Sequence, residues 1–308
     1  MKQLNWKKGL KSLAAGALTV FLVVSACSCG STTTDTPTGT DESGASSEAK
    51  QTTGQISVIS REDGSGTRSA FTELVGIVDE NDDDATTLTA EITSSTSVML
   101  TTVASNPLAI GYVSMGSLSN EVKALKIDGV EATPEKVLSG EYSISRPFLV
   151  VYDEAKLSDI AKDLIKFIQS KQGQEIVANE KYISHDSTES YTASALSGKI
   201  TVSGSTSVAP LMEKLAEAYE KLNPDVKIEI QQTGSSAGIT AATEGASDLG
   251  MSSRALSDSE AAKLKYEQIA TDGIAVIVNL ENTFDGLTTE QVKNIYLGET
   301  TAWDEVQK

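Results

Sequence analysis

Short runs of glycine and hydroxyl residues recur at four places where a strand-like segment gives way to a helical one. They are Asp63-Gly64-Ser65-Gly66-Thr67, Gly204-Ser205-Thr206-Ser207, Gly234-Ser235-Ser236 and Ser252-Ser253-Arg254. Each run places backbone N–H groups at a helix start beside hydroxyl donors, a combination that binds small oxyanions. Arg61 precedes the first run, and its planar guanidinium suits a tetrahedral oxyanion. A single run is often a plain helix cap, but four runs and an arginine together indicate an oxyanion site.

The elements that must position these runs alternate between strands and helices. Ile56 to Ile59 reads as a strand leading into the first run, and Lys199 to Val202 and Val226 to Ile230 lead into the second and third. Pro210 to Leu222 has the pattern of an amphipathic helix. Such alternation predicts an α/β fold with a largely parallel sheet.

The first residues have the pattern of a secretory leader. Four lysines precede an apolar stretch from Leu13 to Val24, and small residues then lead to Cys27. This pattern resembles a bacterial lipoprotein signal, which implies that residues 1–26 are removed and that Cys27 is lipidated. An ordinary signal peptide or a membrane anchor is the alternative. We therefore expect an extracytoplasmic protein, held on the outer face of the cell membrane by its lipid.

Residues 27–54 are rich in small polar residues and almost free of large apolar ones. Such a segment buries too little surface to offset the entropy of ordering it. We expect a disordered tether between the membrane and the folded part.

Charge and composition exclude several classes of function. The net charge of −18 argues against binding to nucleic acid or to an anionic membrane surface, so the lipid would be the only membrane contact. It does not exclude a small anion held at close range by backbone N–H groups. His185 is the single histidine, and both cysteines lie near the leader. We expect no disulfide, no metal and no cofactor.

Several segments resemble the phosphate-binding proteins of phosphate-specific ABC transporters. The similar segments are Ile59 to Arg68, Gly204 to Pro210, Gly234 to Gly238, Gly250 to Arg254, Ile269 to Asn279, Ile295 to Glu299 and Trp303-Asp304. The resemblance covers nearly all of residues 55–308. It implies a type II periplasmic-binding-protein-like fold of two α/β lobes, which close on inorganic phosphate and deliver it to a permease. It also implies a monomer without catalytic activity.

The resemblance also implies which residues contact phosphate. Arg61, Ser65, Gly66 and Thr67 would act from one lobe, and the other lobe would contribute Thr206, Ser207, Ser235 and Ser253. In the family, an aspartate two residues after the arginine holds it in place, and this residue is Asp63 here. A salt bridge to Asp63 alone, without any ligand, is the alternative role for Arg61. Arg68 and Arg254 are further candidates for anion contacts or ion pairs.

The two halves of the family's sequence stand in reversed order. The segment with Arg61 comes first and the Gly204 run follows, so the chain resembles a circular permutant joined through the polar stretch from Ser184 to Gly198. Permutation is tolerated where chain ends lie close together at the surface. One lobe would then be continuous over residues 145–272, and the other would be split between 55–141 and 274–308. A truncated or rearranged gene is the alternative.

The expected selectivity for phosphate depends on Ser253. Well-known family members have an aspartate there, which accepts the proton of hydrogen phosphate. A hydroxyl both donates and accepts, so it discriminates less sharply against sulfate or molybdate. Asp272 could supply the missing acceptor, and a role in the hinge or in a helix cap is its alternative.

Three rival functions were compared with this expectation, and only the third fits the sequence equally well. The pattern Gly234-x-Ser236-x-Gly238 fits a hydrolase elbow, but the only histidine lies in the polar stretch. The acidic run from Asp79 to Asp84 could suggest calcium binding, but it lacks the glycine and the glutamate of an EF-hand loop, and a solvated acidic loop is expected instead. A phosphate sensor or an adhesion lipoprotein could use the same cleft without transport.

Overall fold

The computed structural model describes residues 51–306. The leader, Cys27 and most of the predicted tether lie outside the described residues. Within residues 51–306, no helix is both long enough and apolar enough to cross a membrane.

Strands and helices alternate through most of the described chain. The strands are β1 Ser57–Arg61, β2 Glu91–Thr93, β3 Ala109–Ser114, β4 Val122–Ala124, β5 Lys126–Ile127, β6 Ser145–Tyr152, β7 Gly198–Gly204, β8 Val226–Gln232, β9 Leu249–Ser252, β10 Lys265–Asn279 and β11 Gly286–Leu287. The helices are α1 Gly66–Val75, α2 Thr96–Ser105, α3 Pro134–Leu138, α4 Asp159–Gln169, α5 Lys171–Asn179, α6 Ala209–Leu222, α7 Ser235–Glu244, α8 Asp258–Ala261 and α9 Thr289–Leu297. Short 3₁₀ turns occur at Met115–Ser117 and Trp303–Glu305.

The main sheet is mixed rather than largely parallel. Its strand order is β2-β1-β3-β10-β6-β9-β7-β8, and β4 also pairs with β10. The strands at the two ends pair in parallel, around β1 and around β7. In the middle, β10 runs antiparallel to β3, β4 and β6, and β6 runs antiparallel to β9. The prediction of parallel pairing is therefore wrong for the centre of the sheet, where long strands connect two cores.

Two hydrophobic cores lie on either side of these central strands. One core is built from Ile56 to Ile144 together with Ile274 to Val306, and we call this half the split lobe. The other is built from residues between Phe148 and Ala270, and we call it the continuous lobe. The strand β10 contributes to both cores, with Ile269 on one side and Ile274 on the other. The fold is thus that of two α/β lobes connected by crossover strands.

A buried ion pair holds β6 and β10 together between the two cores. Arg146 and Asp272 are partners in the strand register, and Arg146 Nη2 lies 3.1 Å from Asp272 Oδ2. Ser114 Oγ donates to the other carboxylate oxygen at 2.9 Å. Burial raises the pKa of Asp272 to about 6, and the charge of Arg146 opposes that rise. Loss of one partner of such a pair costs about 3–5 kcal/mol, because it leaves the other charge buried without compensation.

Candidate anion-binding site

Arg61 ends β1 with its side chain almost fully buried, at 2% exposed. Its Nε and Nη2 donate to the two carboxylate oxygens of Glu62, both at 2.8 Å. Asp63 is fully exposed and instead contacts Arg68 Nη1 at 2.9 Å. The prediction that Asp63 holds Arg61 is therefore wrong. The tight turn at Gly64, whose φ is +83°, leaves Asp63 pointing to solvent while the longer Glu62 side chain reaches the guanidinium.

The first glycine-rich run forms the start of α1. Ser65 is the N-cap, and its hydroxyl accepts from Arg68 N at 3.4 Å. Gly66 and Thr67 are the first two helical residues, so their N–H groups are among those left without a partner at a helix start. Arg68 supports the loop from outside, because its Nη1 donates to the Arg61 carbonyl at 2.9 Å. Arg68 thus stabilises the loop rather than joining the buried hydroxyls.

The continuous lobe contributes hydroxyls from three strand ends. Thr206 and Ser207 follow β7, Ser235 opens α7, and Ser253 follows β9. Ser253 N donates to Ser235 Oγ at 3.1 Å, and their hydroxyls lie 3.3 Å apart. Gly204 at the end of β7 has φ +137°, and a Cβ there would lie 2.3 Å from the Met251 carbonyl. Only glycine fits, so the run can turn sharply out of the strand.

Side chains of the two lobes meet directly around Arg61. Arg61 Nη2 donates to Thr206 Oγ1 at 3.0 Å, and Thr67 Oγ1 lies 2.7 Å from Ser207 Oγ. The structure therefore brings the predicted phosphate contacts of both lobes into one buried cluster, which we call the hydroxyl cluster. Its members are Arg61, Ser65, Gly66, Thr67, Thr206, Ser207, Ser235 and Ser253.

The other two predicted supporting residues also lie outside the hydroxyl cluster. The carboxylate of Asp272 accepts from Ser114 and from Arg146, which fits a role in the hinge, and no hydrogen bond among the described residues joins it to the cluster. Arg254 donates to both carboxylate oxygens of Glu260 at 2.8 Å, and these bonds lower the pKa of Glu260 to about 2. Its Nη2 also lies 3.4 Å from Ser236 Oγ, which places it beside the cluster.

One cluster residue was missed by the sequence reasoning. Thr96, the first residue of α2, is 5% exposed, and its Oγ1 lies 3.2 Å from both Thr206 Oγ1 and Ser207 Oγ. The available signal was the run Ser94-Ser95-Thr96-Ser97, which lies between a strand and a helix like the other runs. Such hydroxyls are also typical of a plain helix cap, the role that Ser95 fills here, so the run alone does not indicate a binding residue.

The cluster is rich in donors and poor in carboxylates. Among the described residues, Glu62 is the carboxylate hydrogen-bonded to a cluster member, and Arg61 occupies both of its oxygens. Tyr112 supports Arg61 from behind, because its hydroxyl accepts from Arg61 N at 3.2 Å. Burial raises the pKa of Tyr112 to about 12, so the phenol stays neutral. A buried cluster of one guanidinium, hydroxyls and helix N-termini suits an anion.

The residues of the rival functions lie in other arrangements. Ser236 donates its N–H to the Gly64 carbonyl at 3.1 Å, and His185 lies beside α5 with its N–H bonded to Gln174 Oε1 at 3.0 Å. In the acidic run, the Asp79 carboxylate accepts from Asn81 N and Asp83 N, which lowers its pKa. Within residues 51–306, no group of three or more His, Cys, Asp or Glu side chains is arranged to hold a metal ion.

Comparisons with known proteins give consistent results. Residues 44–172 and 189–308 match the model of the PBP superfamily domain. The phosphate-binding protein PstS 2 of Streptococcus agalactiae serotype V is 51% identical over 260 residues, which cover 83% of this chain and 89% of that protein. A crystal structure of a phosphate ABC transporter phosphate-binding protein from Streptococcus pneumoniae TIGR4 is 49% identical, with a TM-score of 0.67, and covers 82% of this chain and 100% of its own.

A further relative matches only part of the chain. The phosphate-binding protein PstS of Staphylococcus saprophyticus is 38% identical over 117 residues. This match covers 35% of the present chain and 37% of the staphylococcal protein.

Proposed function

Since the chain belongs to the PBP superfamily, among the phosphate-binding proteins of ABC transporters, we propose that it captures inorganic phosphate outside the cytoplasm and delivers it to a permease. The observation that supports this function most strongly is the buried hydroxyl cluster around Arg61, to which both lobes contribute donors. The relatives are named as binding proteins, and we propose binding without catalysis.

The anion would be bound between the lobes by the residues of the hydroxyl cluster. Arg61 supplies the positive charge, and Gly66, Thr67 and Ser235 present N–H groups at the starts of α1 and α7. A ligand that contacts both lobes stabilises the closed arrangement over an open one, so binding and hinge closure are thermodynamically coupled. The permease would then recognise the closed form.

Gly66→Ala is expected to weaken phosphate binding by about ten- to a hundredfold, because a Cβ would prevent closure. That Cβ would lie 2.4 Å from Ser235 Oγ and 2.9 Å from Ser253 Oγ, both in the opposite lobe. Calorimetric titration with phosphate measures the affinity, and thermal unfolding without phosphate measures stability.

Gly111→Ala is the contrasting variant for this experiment. Its Cβ would lie 2.6 Å from Met99 Sδ, within the core of the split lobe. We expect this variant to lower the unfolding temperature and to leave the affinity of the folded protein nearly unchanged. Unchanged phosphate affinity in Gly66→Ala would contradict closure of the lobes onto this glycine.

The oxyanion itself is tested by titrating the protein with phosphate, sulfate and molybdate. We expect one-to-one binding of phosphate. A folded sample that binds none of the three ions would overturn the proposed function. If the sample binds only sulfate or only molybdate, that ion and not phosphate is the one transported.

Attachment to the membrane through lipidated Cys27 is part of the proposal, as is a monomeric state. Metabolic labelling with a palmitate analogue tests the anchor, with Cys27→Ser as the control that should lose the label. Labelled Cys27→Ser protein would contradict the assignment of this cysteine.

We also propose that the chain is a circular permutant of the wider family. The start of β1 lies beside the chain's last described residues: Gln55 pairs with Ala302, and Trp303 N donates to the Gly54 carbonyl at 2.9 Å. Residues 184–197, which would connect the exchanged halves, form no regular element. A sequential alignment can pair only one of two exchanged halves, and a staphylococcal match that covers 35% of this chain supports the proposal.

A rearranged gene tests the permutation. A chain that begins at residue 198, continues to 308 and then runs through a short connector from 51 to 197 is expected to fold and to bind phosphate as the natural chain does. A rearranged chain that fails to fold, beside a natural chain that binds, would contradict the proposal.

A further inference from the structure

The helix α2 approaches the hydroxyl cluster with its N-terminus. Ser95 is the N-cap and its hydroxyl accepts from Val98 N at 3.3 Å, so that amide is already satisfied. The N–H of Thr96 is one of the groups that a helix leaves unpaired at its start. It points across the lobe boundary to Thr206 Oγ1 at 3.4 Å. The backbone of α2 thus contributes a donor to the same place as α1 and α7.

The side chain of Thr96 lies between the two lobes. Its Oγ1 is 3.5 Å from Arg61 Nη1 within the split lobe, and 3.2 Å from both Thr206 Oγ1 and Ser207 Oγ in the continuous lobe. The other two nitrogens of the Arg61 guanidinium are bonded to Glu62. Thr96 therefore lies at the one guanidinium nitrogen that Glu62 leaves free.

At the end of the cluster next to Arg61, the positions of the donors determine which way the hydroxyl protons point. Thr206 Oγ1 accepts from Arg61 Nη2 and from Thr96 N, which uses both of its lone pairs. Its single proton must then be donated. Thr96 Oγ1 likewise faces the Nη1 donor of Arg61. Hydroxyls that already accept from a cation become better donors, because hydrogen bonds in a chain polarise one another. The Arg61 end of the cluster is therefore a donor end.

The opposite end of the cluster, at Ser205 and Ser253, can accept a hydrogen bond as well as donate one. Ser205 Oγ accepts from Ser207 N at 3.2 Å and from Val208 N at 3.4 Å, and donates to Ser253 Oγ at 2.9 Å. Ser253 Oγ is also hydrogen-bonded to Ser235 Oγ at 3.3 Å, and either hydroxyl can be the donor. Ser253 therefore keeps either one lone pair or its own proton, so it can accept or donate. A protonated oxygen of hydrogen phosphate finds an acceptor only at this end. Unprotonated oxygens, which phosphate and sulfate share, suit the Arg61 end.

We propose that Thr96 is a further binding residue of the phosphate site, which donates from the start of α2 to an unprotonated oxygen of the bound anion. The inference rests on the proposed function. It adds α2 to the elements that bind the ligand, and it makes Thr96 a contact that strengthens binding of phosphate and sulfate equally.

The test is a titration of the purified protein with phosphate and with sulfate. Thr96→Val keeps the shape of the side chain and removes the hydroxyl, and we expect both affinities to fall by about ten- to a hundredfold, each by the same factor. Thr96→Ser restores the hydroxyl and should bind nearly as the natural protein does. Ser97→Ala is the matched control, because Ser97 is the next residue of the same helix turn and is exposed. It should leave both affinities unchanged.

The outcomes separate this inference from the proposed function. If the natural protein binds phosphate and Thr96→Val binds it equally well, the inference is overturned and the proposed function stands. A Thr96→Val protein that loses phosphate affinity but keeps sulfate affinity would also overturn it, because the residue would then contact the protonated oxygen. A natural protein that binds neither ion would overturn the proposed function and the inference together. Thermal unfolding without ligand should match across the variants, which distinguishes a contact from a merely structural role.

Discussion

Replacing Arg61 with methionine is expected to lower phosphate affinity by roughly a thousandfold, since hydrogen bonds to a charged partner contribute about 1.5–3 kcal/mol each. Arg61 is the cation within the hydroxyl cluster and is 2% exposed, so water does not screen its charge. Its loss also leaves the Glu62 carboxylate unpaired beside the site, where it repels an anion. Methionine preserves much of the apolar volume of the side chain. Calorimetric titration with phosphate measures the loss.

Arg254→Met provides a matched control for this variant. Arg254, like Arg61, donates to both oxygens of a glutamate at 2.8 Å, but it lies beside the cluster rather than within it. We expect it to change phosphate affinity little. Equal losses in the two variants would mean that net charge, and not a direct contact, explains the effect of Arg61. Thermal unfolding of the free proteins controls for destabilisation, because Arg61 is buried.

The sequence predicted the hydroxyl cluster better than it predicted the sheet. The runs at Ser65, Thr206, Ser235 and Ser253 were identified by local chemistry, which nearby residues determine: small hydroxyl residues, in three of the runs beside a glycine, at the end of a strand. Strand direction depends on where the chain goes next. The apolar run from Ile274 to Val278 reads as a buried strand in either direction, and only its pairing with β3 and β4 makes it antiparallel.

Which carboxylate pairs with Arg61 could not be predicted from the sequence, for a different reason. Glu62 and Asp63 are both acidic and both follow the arginine, so spacing alone does not decide between them. The choice depends on the turn at Gly64, which exposes Asp63 and leaves it to pair with Arg68. A family pattern indicates that a carboxylate holds the arginine, while the backbone of this chain determines which carboxylate does so.

Thr96 was missed because its role depends on contacts between distant residues. Its hydroxyl meets Thr206, which is 110 positions away in the chain and in the other lobe. Hydroxyl residues at a helix start are common as caps, and Ser95 indeed fills that role for α2. Only the packing of the two lobes distinguishes a residue that caps its own helix from one that faces a shared site.

Exchanging Ser253 for aspartate is expected to make the site selective, lowering sulfate affinity by about a hundredfold or more relative to phosphate. The new carboxylate would accept from Ser205 Oγ and Ser235 Oγ, which lie 2.9 and 3.3 Å from Ser253 Oγ. Its remaining lone pairs would face the anion and could be satisfied only by a ligand that brings a proton. Hydrogen phosphate brings one, whereas sulfate would place an acceptor against an acceptor. The natural protein, with a hydroxyl here, should discriminate much less between the two ions.

Ser253→Asn is the matched control, because asparagine has nearly the shape of aspartate but can donate as well as accept. It should keep the two affinities closer together than Ser253→Asp does, while imposing the same change of volume beside Gly66. Competition of sulfate against phosphate in a titration measures the ratio directly. If Ser253→Asp binds sulfate as well as the natural protein does, residue 253 does not face the anion. If the asparagine variant is as selective as the aspartate variant, size rather than proton acceptance sets the preference. The proposed division into a donor end at Arg61 and an accepting end at Ser253 requires that the two variants differ.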